Sequence, residues 1–325
     1  MVPAFRQLSK FIGRLTGRRE RETNGAAGVV DVAAPPPADL LSAAPSSDAP
    51  LVIPGHELLR QIGHGAYGEV WLARDEIGAF HAVKVIYKRT FADRNPFERE
   101  YRGILQYTPI SRTHHGLVPI LHVGRENEAG FFYYVMEVAD CALSGRAIDP
   151  STYCPRTLAH EIDTRGRLSA RESLQLGLEL GEALRYLHSR QLIHRDIKPA
   201  NIIFVNGMAK LADVGLVTHV AEAKRDPKHL GTEGFTPPEG PGTLWADVYS
   251  LGKVLCEASM GHASVKDSLP PPDEKELDEL VPLNEIFLKA CHDDLASRYQ
   301  SVDDMQHDLM RLHDQLYGGV QGARS

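Results

Sequence analysis

Between residues 194 and 201 the chain reads His194-Arg195-Asp196-Ile197-Lys198-Pro199-Ala200-Asn201. This octapeptide places a carboxylate, an ammonium group and a carboxamide close together in the chain. Its interpretation depends on the motifs that stand before and after it, at residues 63–70, at Lys84 and at Asp213.

A glycine-rich stretch lies well before the octapeptide. Residues 63–70 follow the pattern G-x-G-x-x-G-x-V, with Gly63, Gly65 and Gly68 at the glycine positions. Glycines let a backbone pass close to phosphate groups, where a Cβ would clash. A dinucleotide-binding fingerprint of the same spacing would open a helix, whereas the residues from Val70 onward continue as a strand. The stretch therefore predicts a hairpin lid over phosphates.

Lys84 lies inside the apolar strand of residues 82–85. At a sheet edge such a lysine extends to water along its own stem. In a phosphate site it is a buried ammonium that holds the α- and β-phosphates, and a carboxylate on a neighbouring helix keeps it charged. Glu98 and Glu100 both follow within a few turns. We favour Glu100, because Ile104 one turn later then faces the core.

Together with the lid and Lys84, residues 194–201 resemble the protein kinase superfamily, whose H-R-D-x-K-P-x-N motif they match at every defined position. The resemblance implies ATP and Mg²⁺ in a cleft, because phosphoryl transfer requires positioning and charge neutralisation. Asp196 then accepts the proton of the substrate hydroxyl, Lys198 stabilises the γ-phosphate, and Asn201 holds a Mg²⁺ ion. A lysine at this place is typical of serine/threonine kinases.

The segment Asp213-Val214-Gly215 stands where the superfamily has Asp-Phe-Gly. By the resemblance, Asp213 provides the carboxylate that binds the Mg²⁺ ion between the β- and γ-phosphates. Val214 departs from the pattern, and its side chain fills less space beneath the regulatory helix than phenylalanine does in the family. The departure removes no catalytic atom, so we expect an active enzyme. We also expect its active conformation to be held less firmly than in the family.

Residues 231–239 resemble the end of a kinase activation loop, G-T-x-G-[YF]-x-x-P-E. The resemblance implies that the hydroxyl of Thr232 forms hydrogen bonds with both Asp196 and Lys198 of the catalytic loop. It also implies a buried ion pair between Glu239 and Arg298. Asp247 is expected to tie the backbone of the catalytic loop to its own helix.

The residues just before position 140 predict the adenine site. Residues 134–139 resemble the last strand of the small kinase lobe and the hinge, with Met136 at the gatekeeper position. The carbonyl oxygen of Glu137 and the N–H of Ala139 are then expected to bind the adenine edge. The rest of the cofactor-binding set comprises the residues that sandwich the ring and those of the lid and its lysine: Val70, Ala82 and Ile203, and Ile62, Gly63, Gly65, Gly68 and Lys84.

The composition is that of an ordinary folded protein. The 325 residues include 42% hydrophobic and 24% charged residues. The net charge of -7 disfavours a general nucleic-acid binder, which would be basic. The scattered cysteines suit neither a disulfide framework nor a metal site, which is typical of a cytoplasmic protein. No apolar run approaches the ~18 residues that span a bilayer.

The chain is expected to have five segments: a basic amphipathic tail at residues 1–22, an Ala/Pro/Ser-rich flexible linker at 23–52, kinase lobes at 53–139 and 140–318, and a tail at 319–325. Apolar residues recur at helical spacing among the arginines of the first segment. This segment either docks as a helix on an anionic membrane surface or a partner, or it is a disordered basic tail.

Three further features distinguish the chain from the family pattern. Residues 140–156 form a longer connection after the hinge, which either shapes access to the pocket or is an inert loop.

Asp226 lies in an activation-loop stretch that lacks hydroxyl groups. It either balances Arg195 as a fixed anion, so that loop phosphorylation is not required, or it is merely solvated. The short, proline-rich region at 261–280 predicts a truncated substrate-docking helix.

The sequence thus predicts an α+β, bilobal protein kinase fold, with a small antiparallel β-sheet lobe that carries one helix and a mainly α-helical second lobe. Strands are expected over residues 57–88. Long helices are expected over residues 171–189, 247–259 and 302–316.

The expected function is transfer of the γ-phosphoryl group of ATP to serine or threonine hydroxyls of protein substrates, as in bacterial serine/threonine kinases but without a transmembrane segment. One alternative is a pseudokinase that binds nucleotide as a scaffold, which only Val214 supports. The other alternative is a small-molecule kinase of the superfamily, which would lack the segment at 231–239 and its arginine partner.

Overall fold

The computed structural model describes residues 51–65, 68–91, 94–213, 215, 217–220, 231–261 and 272–318. The N-terminal tail, most of the linker, Val214, Asp226 and the C-terminal tail lie outside the described residues, so the hypotheses about them stay predictions. Residues 262–271, half of the region expected to hold a truncated docking helix, also lie outside them.

A five-stranded antiparallel sheet occupies the first half of the described chain. Its strands are β1 (His56–Gly65), β2 (Gly68–Asp75), β3 (Phe80–Tyr87), β4 (Ile120–Glu126) and β5 (Phe131–Met136), in the spatial order β1-β2-β3-β5-β4. The expected strands within residues 57–88 are confirmed as β1, β2 and β3. Branched and aromatic side chains in β3 and β5 suit a pleated sheet, and most of them are buried.

One helix, α1 (Arg94–Ser111), packs on this sheet. Its Phe97 and Ile104 are buried in the same core as Phe132 of β5, and the rings of Phe97 and Phe132 have centroids 5.1 Å apart. This packing fixes the helix that carries Glu100 against the strand next to Lys84. The inward position of Ile104 agrees with the face that the sequence predicted.

Gly68 begins β2 at a point where two strands approach closely. A Cβ at this position would collide with the main-chain carbonyl oxygen of Val85 on β3. This glycine is therefore required by the sheet itself, in addition to any role in a lid over phosphates.

The second half of the described chain is mainly helical. It contains α2 (Leu158–Arg165), α3 (Ala170–His188), α4 (Leu244–Met260), α5 (Glu274–Ala290) and α6 (Val302–Tyr317). Each begins after a residue whose side chain accepts a backbone hydrogen bond from the first turn: Thr157, Ser169, Thr243, Asp273 and Ser301. The three predicted helices are confirmed as α3, α4 and α6. Helix α4 starts three residues earlier than expected, because Thr243 supplies its cap.

Short strands position the loops between the two halves. The catalytic loop runs from β6 (Leu192–Ile193) to β7 (Ile202–Val205), and Asp213 follows β8 (Met208–Leu211). Strand β7 pairs with β8, and β6 pairs with β9 (Thr218–His219). The two halves are joined by the N–H of Val118, which donates to Leu211 O at 3.1 Å.

The predicted α+β, bilobal arrangement is therefore confirmed, with an antiparallel sheet and one helix in the first lobe and helices in the second. Within the described ranges, no helix combines the length and the apolar character that crossing a bilayer requires.

Candidate active site

A carboxylate and an ammonium group of the catalytic loop are in direct contact with the hydroxyl of Thr232. The Thr232 hydroxyl donates to Asp196 Oδ1 at 2.7 Å and accepts a hydrogen bond from Lys198 Nζ at 2.9 Å. Lys198 Nζ also lies 2.9 Å from Asp196 Oδ2. Asn201 Nδ2 donates to the same oxygen at 2.8 Å. These bonds fix the orientation of the Asp196 carboxylate, and the expected bridge by Thr232 is present.

The backbone of the loop is held by a buried aspartate of α4. Asp247, only 1% exposed, accepts hydrogen bonds from the N–H groups of His194 at 2.8 Å and Arg195 at 2.9 Å. Its Oδ2 also lies 3.0 Å from Nε2 of His188. Arg195 has a φ of 71°, a left-handed conformation that is uncommon for non-glycine residues. The two charge-assisted bonds stabilise this turn, so the expected role of Asp247 is confirmed.

Three charged side chains from distant parts of the chain converge beside this loop. Lys84 forms an ion pair with Asp213. Within the described residues, it makes no direct ion pair with Glu100. A Cβ on Gly215 would lie 2.9 Å from Glu100 Oε1 and 3.5 Å from Asp213 Oδ1, so both carboxylates border the same glycine. Glu98 points elsewhere, because both its oxygens accept from Arg125, at 2.6 and 2.9 Å.

The electrostatics of this cluster favour a charged lysine. Burial alone lowers the pKa of Lys84, but the neighbouring carboxylate of Asp213 raises it above its ordinary value. Burial tends to raise the pKa of Asp213, while Lys84 holds it below its usual range. Burial raises the pKa of Glu100 to about 7, and Lys84 opposes this rise. At neutral pH, Glu100 is therefore the carboxyl of this cluster that is closest to titration.

The oxygen ligands of the cleft suit a magnesium ion bound with phosphates. Within the residues that the structure describes, no group of three or more His, Cys, Asp or Glu is arranged to hold a metal ion. Mg²⁺ is usually held by only one or two carboxylates, together with substrate phosphates and water. The Asp213 side chain is 37% exposed, and Asn201 adds a carboxamide oxygen nearby in the loop. These two residues fit the ion.

The strand register brings the expected adenine residues together. Val70 lies opposite Lys84, and Ala82 lies opposite Met136. Directly opposed residues share one face of a sheet, so these four side chains line the same side. Ile203 lies on β7 of the second lobe.

The hinge residues have partners of their own. The carboxylate of Glu137 pairs with Lys210 of β8, and the carbonyl oxygen of Ala139 accepts the hydroxyl of Tyr153 at 3.0 Å. The adenine contacts expected of the Glu137 carbonyl oxygen and the Ala139 N–H stay predictions.

Sequence reasoning missed Tyr134 and the Lys210–Glu137 pair. Tyr134 is fully buried and lies directly opposite Lys84 on β5, where burial raises the pKa of its hydroxyl. Its position two residues before Met136 places both on one strand face, which is a signal that period-two alternation would have given. No local pattern predicts the pair between Lys210 and Glu137, which joins β8 to the hinge.

The activation-loop end is fixed by the expected ion pair. Arg298 Nη1 lies 2.6 Å from Glu239 Oε1, and the Arg298 side chain is fully buried. Arg298 also donates from Nε to the His292 carbonyl oxygen at 2.9 Å. The segment that carries Thr232 is therefore attached to the loop before α6.

Comparisons with known proteins agree with this geometry. The family model of the protein kinase domain matches residues 56–317. The serine/threonine-protein kinase PrkC of Bacillus subtilis (strain 168) is 29% identical over 279 residues, which cover 80% of this chain and 40% of that protein. The serine/threonine-protein kinase PknB of Mycobacterium leprae (strain TN) is 30% identical over 283 residues, covering 79% and 43%.

The chain therefore spans less than half the length of these curated relatives. Its own matched region, however, includes both lobes, the catalytic loop and the activation-loop end. On the extent of the family match and on the arrangement of these elements, the chain belongs to the protein kinase family.

Proposed function

We propose that this protein transfers the γ-phosphoryl group of ATP to serine or threonine hydroxyls of protein substrates. The observation that carries this proposal is the hydroxyl of Thr232, which bonds to both Asp196 and Lys198. This arrangement holds a proton acceptor and a cation side by side and in fixed orientation. Phosphoryl transfer needs both, because its catalysis consists of positioning and charge stabilisation.

The proposed step uses these two groups in distinct ways. A carboxylate oxygen of Asp196 takes the proton of the substrate hydroxyl as the hydroxyl oxygen bonds to the γ-phosphorus. The bond between the γ-phosphorus and the bridging oxygen breaks, and ADP leaves with the electron pair. The ammonium of Lys198 stabilises the negative charge on the transferred group.

The nucleotide is proposed to lie between the lobes. Lys84 holds the α- and β-phosphates, and Glu100 adds negative charge beside it. Asp213 and Asn201 hold Mg²⁺, which neutralises phosphate charge when it is bound. The adenine ring lies against Val70, Ala82 and Ile203, below the lid that includes Ile62.

The proposal extends to the organisation of the whole chain. The lobes are taken as residues 53–139 and 140–318, with the adenine site at their junction. We place the protein in the cytoplasm, with protein substrates and no nucleic-acid partner, and assign residues 1–22 to docking on a membrane surface or a partner protein.

The experiment that tests the function is transfer of label from γ-labelled ATP in the presence of Mg²⁺. A generic basic protein serves as acceptor, and the labelled amino acids are identified after hydrolysis. Asp196→Asn and Lys84→Ala should strongly reduce the label, whereas the exposed-site controls Asp278→Asn and Lys275→Ala should retain it. Label on serine or threonine supports the proposal. Absence of label, while ATP still raises the melting temperature, would instead favour a nucleotide-binding scaffold.

A further inference from the structure

The connection after the hinge, residues 140–156, is anchored at both ends to the strand beneath the adenine site. We call it the hinge strap. At its start, the N–H of Asp140 donates to Phe204 O at 2.8 Å, and at its end Arg156 O accepts the N–H of Phe204 at 2.9 Å. The two ends also bond to each other, because the N–H of Arg156 donates to Asp140 O at 2.8 Å. Both ends of the hinge strap are thus fixed to β7, the strand that carries Ile203.

The side chain of Asp140 reinforces this base. Its two carboxylate oxygens accept the N–H groups of Asn206 at 3.0 Å and Gly207 at 2.8 Å, in the turn between β7 and β8. A carboxylate that bonds two backbone donors gives charge-assisted hydrogen bonds, which are stronger than neutral ones. The base of the hinge strap is therefore part of the second lobe.

The middle of the hinge strap reaches across to the first lobe. The guanidinium of Arg60, on β1, donates to the carbonyl oxygen of Ser151 at 3.1 Å and to that of Tyr153. Arg60 has only fixed planar donors, so two bonds from one guanidinium define the position of the acceptors as well as their distance. These bonds link strand β1 of the lid to a segment that is anchored on the second lobe.

Tyr153 connects the same two regions through its ring and its hydroxyl. The ring is 1% exposed and belongs to a small apolar cluster with Leu72 and Cys141, against which Ile62 packs. The hydroxyl donates to the carbonyl oxygen of Ala139 in the hinge at 3.0 Å. The Tyr153 side chain thus belongs to the cluster against which Ile62 of the proposed adenine site packs, and it also bonds to the hinge.

We propose that Arg60 and Tyr153 are positioning residues that set the width of the adenine slot, the space between Ile62 of β1 and Ile203 of β7. They do so by linking β1 to β7 through the hinge strap. The proposal rests on the proposed function in one respect, that this slot binds an adenine nucleotide. Neither residue is expected to touch ATP. Their effect is to hold Ile62 and Ala139 in the binding arrangement before the nucleotide arrives, which reduces the ordering cost of binding.

The expected consequence is a change in nucleotide binding without a change in chemistry. Tyr153→Phe removes only the hydroxyl bond to the hinge, and Arg60→Gln removes the double link to the hinge strap. Each should raise the KM for ATP and the Kd for ADP with Mg²⁺ by about five- to tenfold, the scale of one or two lost hydrogen bonds. The kcat should stay within about twofold, because the Asp196 and Lys198 geometry is untouched.

Matched controls separate this effect from general destabilisation. Arg74→Gln alters another arginine of the same hairpin, which forms its ion pair with Glu57 of β1. Tyr299→Phe removes another buried tyrosine hydroxyl, which bonds to Asp308 in the second lobe. Because these partners lie outside the hinge strap, both variants should leave the KM for ATP unchanged. A purely structural role for Arg60 and Tyr153 would lower the melting temperature and leave the KM and the Kd at wild-type values.

The experiment combines steady-state kinetics with calorimetry of ADP binding on the full chain. Raised KM and Kd in both variants, with unchanged values in both controls, support the proposal. Wild-type values in Tyr153→Phe overturn it, and this isosteric variant decides the question if Arg60→Gln folds poorly. If wild type binds ADP but transfers no phosphate, the same Kd comparison still tests the hinge strap while the proposed function fails. A wild type that binds no adenine nucleotide would overturn both.

Discussion

The Thr232 hydroxyl donates a hydrogen bond to Asp196 Oδ1, and the two oxygens lie 2.7 Å apart. The two residues are 36 positions apart in the chain, at the end of the activation segment and in the catalytic loop. The same hydroxyl accepts a hydrogen bond from Lys198, whose ammonium also forms a direct ion pair with the other oxygen of Asp196. The position of the activation-segment end therefore controls the geometry of the Asp196 carboxylate.

Removing this hydroxyl should impair transfer more than binding. Thr232→Val keeps the shape of the side chain but loses both hydrogen bonds, so we expect a fall in kcat of about a hundredfold, the scale of a misplaced catalytic group. Thr232→Ser keeps the hydroxyl and should stay within about tenfold of wild type. The measurement is kcat and the KM for ATP in parallel. A kcat for Thr232→Val close to that of Thr232→Ser would contradict the bridging role.

Asp247→Asn should destabilise the protein and slow catalysis together. The carboxylate is buried and accepts the N–H groups of His194 and Arg195 with separate oxygens. A carboxamide has only one oxygen and sets an NH₂ donor against one of these N–H groups. The free energy of unfolding should fall by about 3 kcal/mol, as measured by urea denaturation. Asp278→Asn, at an exposed helix position, is the matched control and should change little. An unfolding curve for Asp247→Asn that superimposes on wild type would contradict the anchoring role.

The sequence predicted those parts of the site whose chemistry restricts the residues at successive positions. Asp196, Lys198 and Asn201 share one short loop, so their types and spacing are readable without the fold. The same holds for Thr232 within its own segment. Helix bounds were also readable to within a few residues, and the early start of α4 reflects the cap at Thr243.

Contacts between distant segments were not readable from local patterns. The sequence suggested that a glutamate keeps Lys84 charged, whereas the structure pairs Lys84 with Asp213, a choice that depends on how the lobes approach. The bonds from Arg60 to the hinge strap span more than 90 residues, as their separations of 91 and 93 positions show. No periodicity or spacing rule reaches that far. Such contacts follow from packing, which the sequence specifies only as a whole.

The buried pair of Arg298 and Glu239 should contribute far more to stability than a similar pair on the surface. Arg298→Ala leaves a partly buried carboxylate without its partner and should lower the free energy of unfolding by about 3–5 kcal/mol. The matched control is Arg185→Ala, which breaks a more exposed pair with Glu182 and should cost less than about 1 kcal/mol.

Denaturant unfolding of both variants checks this contrast. Equal losses in the two variants would contradict the distinction between the buried and the exposed pair. We also expect Arg298→Ala to be less active than wild type at temperatures where it is still folded, because Glu239 lies in the segment that carries Thr232.

Glu100 should make stability depend on pH in a defined window. Burial raises the pKa of Glu100 from 4.5 to about 7 in the folded protein. Between these values the folded state binds the proton more tightly than the unfolded state. The contribution of this group to the free energy of unfolding is therefore present at low pH and is lost as the pH rises to about 7. Glu100→Gln cannot titrate and should remove that part of the slope.

The measurement is the free energy of unfolding of wild type and Glu100→Gln at several pH values from 4.5 to 8. The difference between the two proteins should change across the window and become constant above it. A difference that does not vary with pH would show that Glu100 does not titrate there.

The most direct test of the proposed function is single-turnover phosphoryl transfer with Asp196→Asn beside wild type, under conditions where all enzyme holds ATP. The variant should bind ATP with Mg²⁺ within about twofold of wild type, because the proposed ligands of the phosphates and of Mg²⁺ are Lys84, Asp213 and Asn201 rather than Asp196. Its transfer to a serine- or threonine-containing acceptor should be slower by about 10²–10⁴-fold, the usual contribution of a positioned general base. Transfer at the wild-type rate in Asp196→Asn, or no transfer by a wild type that binds ATP, would contradict the proposal.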